Sequence, residues 1–192
     1  GLFRQMNFFY LFIISIFVSV SSFAQLPVSH ISGKKQALIE DFTGNKCQGC
    51  PSGAKEADII TAANPGKAFS IAIHSSVNFS EPDTAASAKD FRTIDGDVIQ
   101  SMPGIGIASY PAGLINRVVG AYPHVTGGLA MYYGFWNAEV NKILAQNSYV
   151  NIAGQAYVHP TTRLMIVYIE AYYTANCPTS NRLSVTLLQN DI

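Results

Sequence analysis

Two cysteines separated by two residues, Cys47-Gln48-Gly49-Cys50, stand between an apolar run ending at Phe42 and a helical run beginning near Pro51. This spacing brings both sulfurs within reach on the first turn of a helix, where they can form and break a small disulfide ring. The partial positive charge of a helix N-terminus favours the thiolate, the form of cysteine that attacks disulfides. Lowering a thiol pKa from about 8.5 to about 7 requires roughly 2 kcal/mol of selective anion stabilisation. A helix terminus with Lys46 beside it can supply that.

A CxxC pair also serves as half of a zinc site or as a static structural disulfide. Zinc usually takes four ligands. Here the third cysteine is Cys177, and His30, His74, His124 and His159 lack the spacing of a zinc knuckle. The strand–loop–helix context favours redox use, with the structural disulfide as the alternative. No metal and no cofactor is expected.

The elements around the pair read as an α/β domain. Gln36 to Phe42 is almost continuously apolar, as suits a central strand covered on both faces. Ser52 to Ala63 reads as a helix stopped by Asn64-Pro65-Gly66. Ala68 to His74 is a second buried strand, making a parallel β–helix–β crossover. Ser75 to Ser109 is a long segment rich in Ser, Asp and Pro. It is expected to be an insertion near the redox site, with a short helix over Ala85 to Phe91 capped by Asp83 or Thr84. Tyr110-Pro111 opens a third strand. Leu129, Tyr132, Tyr133, Trp136, Val140, Ile143 and Leu144 then give Thr126 to Gln146 one apolar helical face.

Periodicity changes near Tyr149. Val150, Ile152, Ala156 and Val158 alternate with Asn151, Gln155 and Tyr157, the period of a half-buried strand, and Arg163 to Tyr173 and Arg182 to Gln189 are further strand-like runs. Three strands do not complete a sandwich, which takes about seven. The expected organisation is a segment 1–24, a lead-in 25–35, a first domain 36–147, and the start of a truncated β domain at 148–192. Cys177 is left over from the motif, and any partner for it is expected beyond Ile192.

Phe8 to Val20 is apolar except for Ser15 and Ser19, and Ser22-Phe23-Ala24 follows. An apolar stretch of about 7 to 15 residues with a small-residue exit reads as a secretory signal, with cleavage before Gln25. Export places the cysteines where disulfides persist. The chain carries 12 Lys and Arg against 12 Asp and Glu, with no basic stripe, so nucleic-acid binding has no support. Hydrophobic residues make up 48%, enough for a sizeable core.

Asp41-Phe42 before Cys47-Gln48-Gly49-Cys50, with Pro111 opening a later strand, resembles the thioredoxin superfamily. The run Leu38-Ile39-Glu40-Asp41-Phe42-Thr43-Gly44 leading to Cys47 and Cys50-Pro51, together with Tyr110-Pro111-Ala112-Gly113-Leu114-Ile115-Asn116-Arg117, resembles more closely the outer-membrane-protein-28-related family. The resemblance covers roughly Gln36 to Ile192. It implies a thioredoxin-like domain with a long insertion followed by a β-rich segment. It also implies export to the periplasm or outer membrane of a Gram-negative envelope, and protein thiols or disulfides as partners. By resemblance Cys47 attacks, Cys50 resolves, and Pro111 is the cis-proline beside them. Tyr110 would pair with an extended substrate segment, and Asp41 would help move the proton of the resolving thiol. The chain departs from thioredoxins at Lys46, where they place a tryptophan, and at Gln48-Gly49, where they have Gly-Pro. Two function classes follow: a thiol-disulfide oxidoreductase, or a non-catalytic envelope binding or structural protein stabilised by its CxxC disulfide.

Overall fold

The computed structural model describes residues 26–75, 79–82, 89–177 and 180–190. The expected signal segment 1–24 lies outside the described residues, as does most of the expected helix Ala85 to Phe91 with its capping candidates Asp83 and Thr84. The chain is a mixed α/β protein that divides into two units. One comprises Gly33–Ser148 with Pro178–Ile192; the other comprises Gly1–Ser32 with Tyr149–Cys177. Among the described residues no helix is long and apolar enough to cross a membrane.

In the first unit, β1 (Ala37–Phe42) is the middle of a three-stranded sheet. It pairs in parallel with β2 (Ala68–Ile73), from Ala37↔Ala68 to Phe42↔Ile73. On its other side it pairs antiparallel with β3 (Ala112–Ile115), from Ile39↔Ile115 to Phe42↔Ala112. Between β1 and β2 runs α1 (Cys50–Ala63), which begins two residues earlier than the apolar pattern indicates, with Pro51 in its first turn. Proline is tolerated there because its missing N–H would have no intrahelical partner. The helix ends at Asn64, whose side-chain amide donates to Ile60 O at 3.0 Å, and Gly66 then turns the chain with φ 69°.

The sheet is covered on both faces. On one, Ala37, Ile39 and Ile115 meet Ala57 and Ile60 of α1 and Trp136, Val140 and Ile143 of α3 (Trp136–Ala145). On the other, Phe42, Ile73 and Leu114 meet Ile105 and Ala130, with Ile99, Ile107 and Leu129 packed around them. The segment between β2 and β3 therefore supplies a layer of its own. Its described part contains α2 (Ile94–Gln100), started by Thr93, whose hydroxyl accepts the N–H of Gly96 at 2.9 Å. Asp95 and Asp97 in the first turn suit the positive end of that helix.

The helix expected over Thr126 to Gln146 is shorter. A 3-10 turn at Tyr133–Phe135 leads into α3, and residues 126–132 are not helical. Two glycines explain the loss. Gly127 sits at φ 76°, and Gly127-Gly128 forms a turn closed by Gly128 N–H to Val125 O at 2.9 Å. Met131 is then captured by the sheet edge, exchanging both backbone hydrogen bonds with Gly113 at 3.0 and 3.1 Å.

In the second unit, β4 (Val150–Val158) and β5 (Met165–Tyr173) form a two-stranded antiparallel sheet, in register from Val150↔Tyr173 to Val158↔Met165. His159 Nδ1 accepts from the N–H groups of Thr161 and Thr162 at the turn. The expectation of a half-buried strand is corrected here: Ile152, Tyr157, Ile166 and Tyr168 are all exposed. The lead-in belongs to this unit as far as Ser32, while Gly33 onward belongs to the first unit. Asn151 donates to the carbonyls of Ser29 and Ile31 at 2.6 and 2.8 Å, and His30 stacks on Tyr172 at 3.9 Å. Residues 182–189, expected as a strand, contain no strand.

Candidate functional site

Cys47 and Cys50 are joined by a disulfide, with Cα atoms 5.3 Å apart. Cys50 is the first residue of α1, and Cys47 lies in the loop that descends from β1. The loop is held by Cys47 N–H to Gly44 O at 3.1 Å and Cys50 N–H to Cys47 O at 3.3 Å. Gly49 caps the helix without a side-chain hydrogen bond, and the first turn carries no acidic residue. The helix terminus thus keeps its positive character toward the disulfide. Cys47 is 8% exposed and Cys50 3%.

Tyr110 and Pro111 lie directly against this loop, and the peptide bond between them is cis. A Cβ on Gly49 would come within 3.3 Å of Pro111 Cδ and 3.8 Å of Tyr110 O. A Cβ on Gly53 would come within 2.8 Å of Pro111 Cβ. Glycine within a helix costs up to about 1 kcal/mol relative to alanine; at Gly53, in the first turn, it lets α1 lie flat on the proline. The Tyr110 hydroxyl is anchored, donating to Gln100 Oε1 at 2.8 Å and lying 3.1 Å from Ser75 Oγ, which itself bonds Gln100 Oε1. Burial raises the pKa of this phenol.

Asp41 is the third member. It alternates with Ala37 and Ile39, so it shares the face of β1 that α1 covers. Because α1 runs back antiparallel to β1, its last turn (Ile60) lies toward Ala37 and its first turn toward Asp41. Opposite Asp41 in the register is Gly113, whose absent side chain is replaced by the Trp136 indole, within 2.5 Å of where a Cβ would stand. Asp41 is 4% exposed, and its Oδ1 has no hydrogen-bond partner among the described residues. Desolvation raises its pKa to about 7. Cys47, Cys50, Asp41, Tyr110 and Pro111 therefore gather around the junction of β1, α1 and β3.

Sequence reasoning missed several residues that build this junction. Arg117 makes a two-pronged ion pair with Glu40, at 2.7 Å from Nε and 2.6 Å from Nη2, and Glu40 is buried. Asn116 completes the β1–β3 pairing with its side chain, accepting from Leu38 N–H at 2.7 Å and donating to Gln36 O at 2.8 Å. Their signal was present, since both lie in the second motif and Glu40 and Leu38 lie in the first. Phe79 and Ser80, in the segment between β2 and β3, had no signal. Phe79 O accepts from Lys46 N–H at 2.8 Å, Ser80 Oγ donates to Thr43 O at 2.7 Å, and a Cβ on Gly44 would stand 2.2 Å from Phe79 O.

Two other sequence candidates lie elsewhere. His74 follows β2 with its ring on Phe91, and burial lowers its pKa. Cys177 lies in the second unit, outside the disulfide. Among the described residues no group of three or more His, Cys, Asp or Glu side chains could hold a metal ion. Comparison with protein-family models, curated proteins and solved structures finds no match to this chain.

Proposed function

We propose that this chain is an exported cell-envelope protein of the outer-membrane-protein-28-related type, with a thioredoxin-like domain that exchanges disulfides with protein thiols through Cys47 and Cys50. One observation carries the reading: a buried carboxyl whose Oδ1 has no partner among the described residues, Asp41, stands at the end of β1 that leads into the Cys47–Cys50 loop, on the face shared with Ile39. A disulfide that only braces the fold has no use for a nearby group that exchanges protons near neutral pH. A leaving thiolate does.

The step runs as follows. A partner thiolate attacks Cys47 Sγ, the S–S bond breaks, and its electron pair leaves on Cys50 Sγ. A proton from the neutral Asp41 carboxyl quenches that thiolate. Attack by a second partner thiolate on the mixed disulfide releases Cys47, so two thiols are oxidised to one disulfide as the pair is reduced. The reverse sequence oxidises a partner. The sheet order β2-β1-β3 with β3 antiparallel, the pair at the β1–α1 junction, and Pro111 packed on it support the thioredoxin-like assignment. The clasp of Glu40 and Leu38 by Arg117 and Asn116 supports treating the two motifs as one unit. The apolar run Phe8 to Val20 supports export.

A second reading has its own observation: both cysteines are buried, as suits an inert structural bridge. A Cys50→Ser variant separates the two. Exchange chemistry predicts mixed disulfides between Cys47 and other proteins, visible as thiol-sensitive bands on non-reducing gels and absent from Cys47→Ser. No trapped species from Cys50→Ser would leave the structural bridge.

A further inference from the structure

The Cys47–Cys50 loop is bracketed on two sides by a pair of aromatic residues. Phe79 holds Lys46, the residue before Cys47, through its carbonyl. Tyr110 approaches Gly49, between the cysteines, through its main chain, its carbonyl oxygen 3.8 Å from where a Cβ on Gly49 would stand. The two rings then meet each other, with centroids 5.6 Å apart and planes tilted by 47°. Tyr110 is fixed by Ser75 and Gln100, whereas the Phe79 side chain remains well exposed, at 46% for the residue. Through the Lys46 contact this ledge adjoins the loop that carries Cys47.

Resting on the exchange reading above, we propose that Phe79 is a specificity-determining residue that selects polypeptide thiols flanked by apolar side chains over small hydrophilic thiols. An exposed phenylalanine keeps apolar surface against water, and that unfavourable exposure is relieved when an apolar neighbour of the attacking cysteine covers it. Covering the exposed half of this ring, together with the apolar side chain laid on it, contributes about 1.5 kcal/mol, which is roughly tenfold in rate if the contact is made in the transition state. Glutathione, with no apolar flank, gains nothing from the ledge.

The test measures reduction of the Cys47–Cys50 disulfide by three thiols: a blocked peptide with cysteine between two phenylalanines, the same peptide with glycines, and glutathione. In each case two thiols become one disulfide as the protein pair gains two electrons and two protons. Rates are normalised to each thiol's reaction with a small-molecule disulfide. The wild type should prefer the phenylalanine peptide, and Phe79→Ala should lose about tenfold on that peptide alone while Phe79→Leu retains most of the preference. Main-chain contacts to Lys46 survive both changes, so folding is checked by circular dichroism. Equal losses on all three thiols, or no preference in the wild type, would overturn the role of Phe79 while leaving exchange intact. A wild-type disulfide inert to every thiol would overturn both readings.

Discussion

At the scale of single residues, the arrangement places an ionisable carboxyl in a site that cannot solvate its charge. The Asp41 pKa rises from 3.8 to about 7 because the β1 face, Gly113 and the Trp136 ring exclude water. The folded state then binds a proton that the unfolded state has released. Asp41 therefore contributes stability that is fully present below about pH 4, is lost as pH rises toward about 7, and is absent above it. Asp41→Asn should remove this slope and stabilise the protein at pH 8 by a few kcal/mol, read from denaturant midpoints at pH 5 and pH 8. Gly53 makes an opposite kind of demand. Gly53→Ala should raise helix propensity yet lower stability by about 1 to 3 kcal/mol, because the new methyl meets Pro111 Cβ at 2.8 Å. Thermal melts of the two proteins decide that sign.

At the scale of elements, the β1–β3 pair is the frame on which the site hangs. Four backbone pairings are continued by Asn116 and locked by the Glu40–Arg117 bridge, with the carboxylate buried and the guanidinium partly exposed. Arg117→Met would leave a buried carboxylate without its counter-ion, and should cost about 2 to 4 kcal/mol in urea unfolding, whereas the double change Glu40→Gln with Arg117→Met should recover part of it. Much of this frame was legible in the chain. Apolar continuity marked Gln36 to Phe42 and Ala68 to His74, and the two breaker residues Pro65 and Gly66 marked the end of α1. The helix over 126–132 misled because apolar spacing ignores backbone freedom: Gly127 turns the chain and Met131 joins the sheet instead. The α2 helix was hidden by Gly96, which approaches His74 O so closely that a Cβ would stand 2.5 Å from it. The contact of Phe79 with Lys46 runs through the main chain, and main-chain contacts leave no residue pattern to read.

At the scale of the whole molecule, the first unit concentrates the chemistry and the second presents a hairpin with apolar side chains exposed on it. Two strands alone bury too little to be stable in water, and the lead-in that bonds Asn151 and stacks on Tyr172 adds what cover the described residues give. The alternation of Val150, Ile152, Ala156 and Val158 correctly indicated a strand, but alternation reports periodicity, not whether a neighbouring layer covers it. The central claim concerns the first unit and reduces to whether its disulfide is poised for exchange. Equilibrating the protein across a glutathione redox series, extended downward with dithiothreitol, and counting Cys47 and Cys50 thiols by mass after alkylation, tests it directly. A midpoint within the span of exchange proteins, about −270 to −120 mV, is the predicted result. A pair that stays oxidised below about −300 mV, as structural disulfides do, would contradict the account.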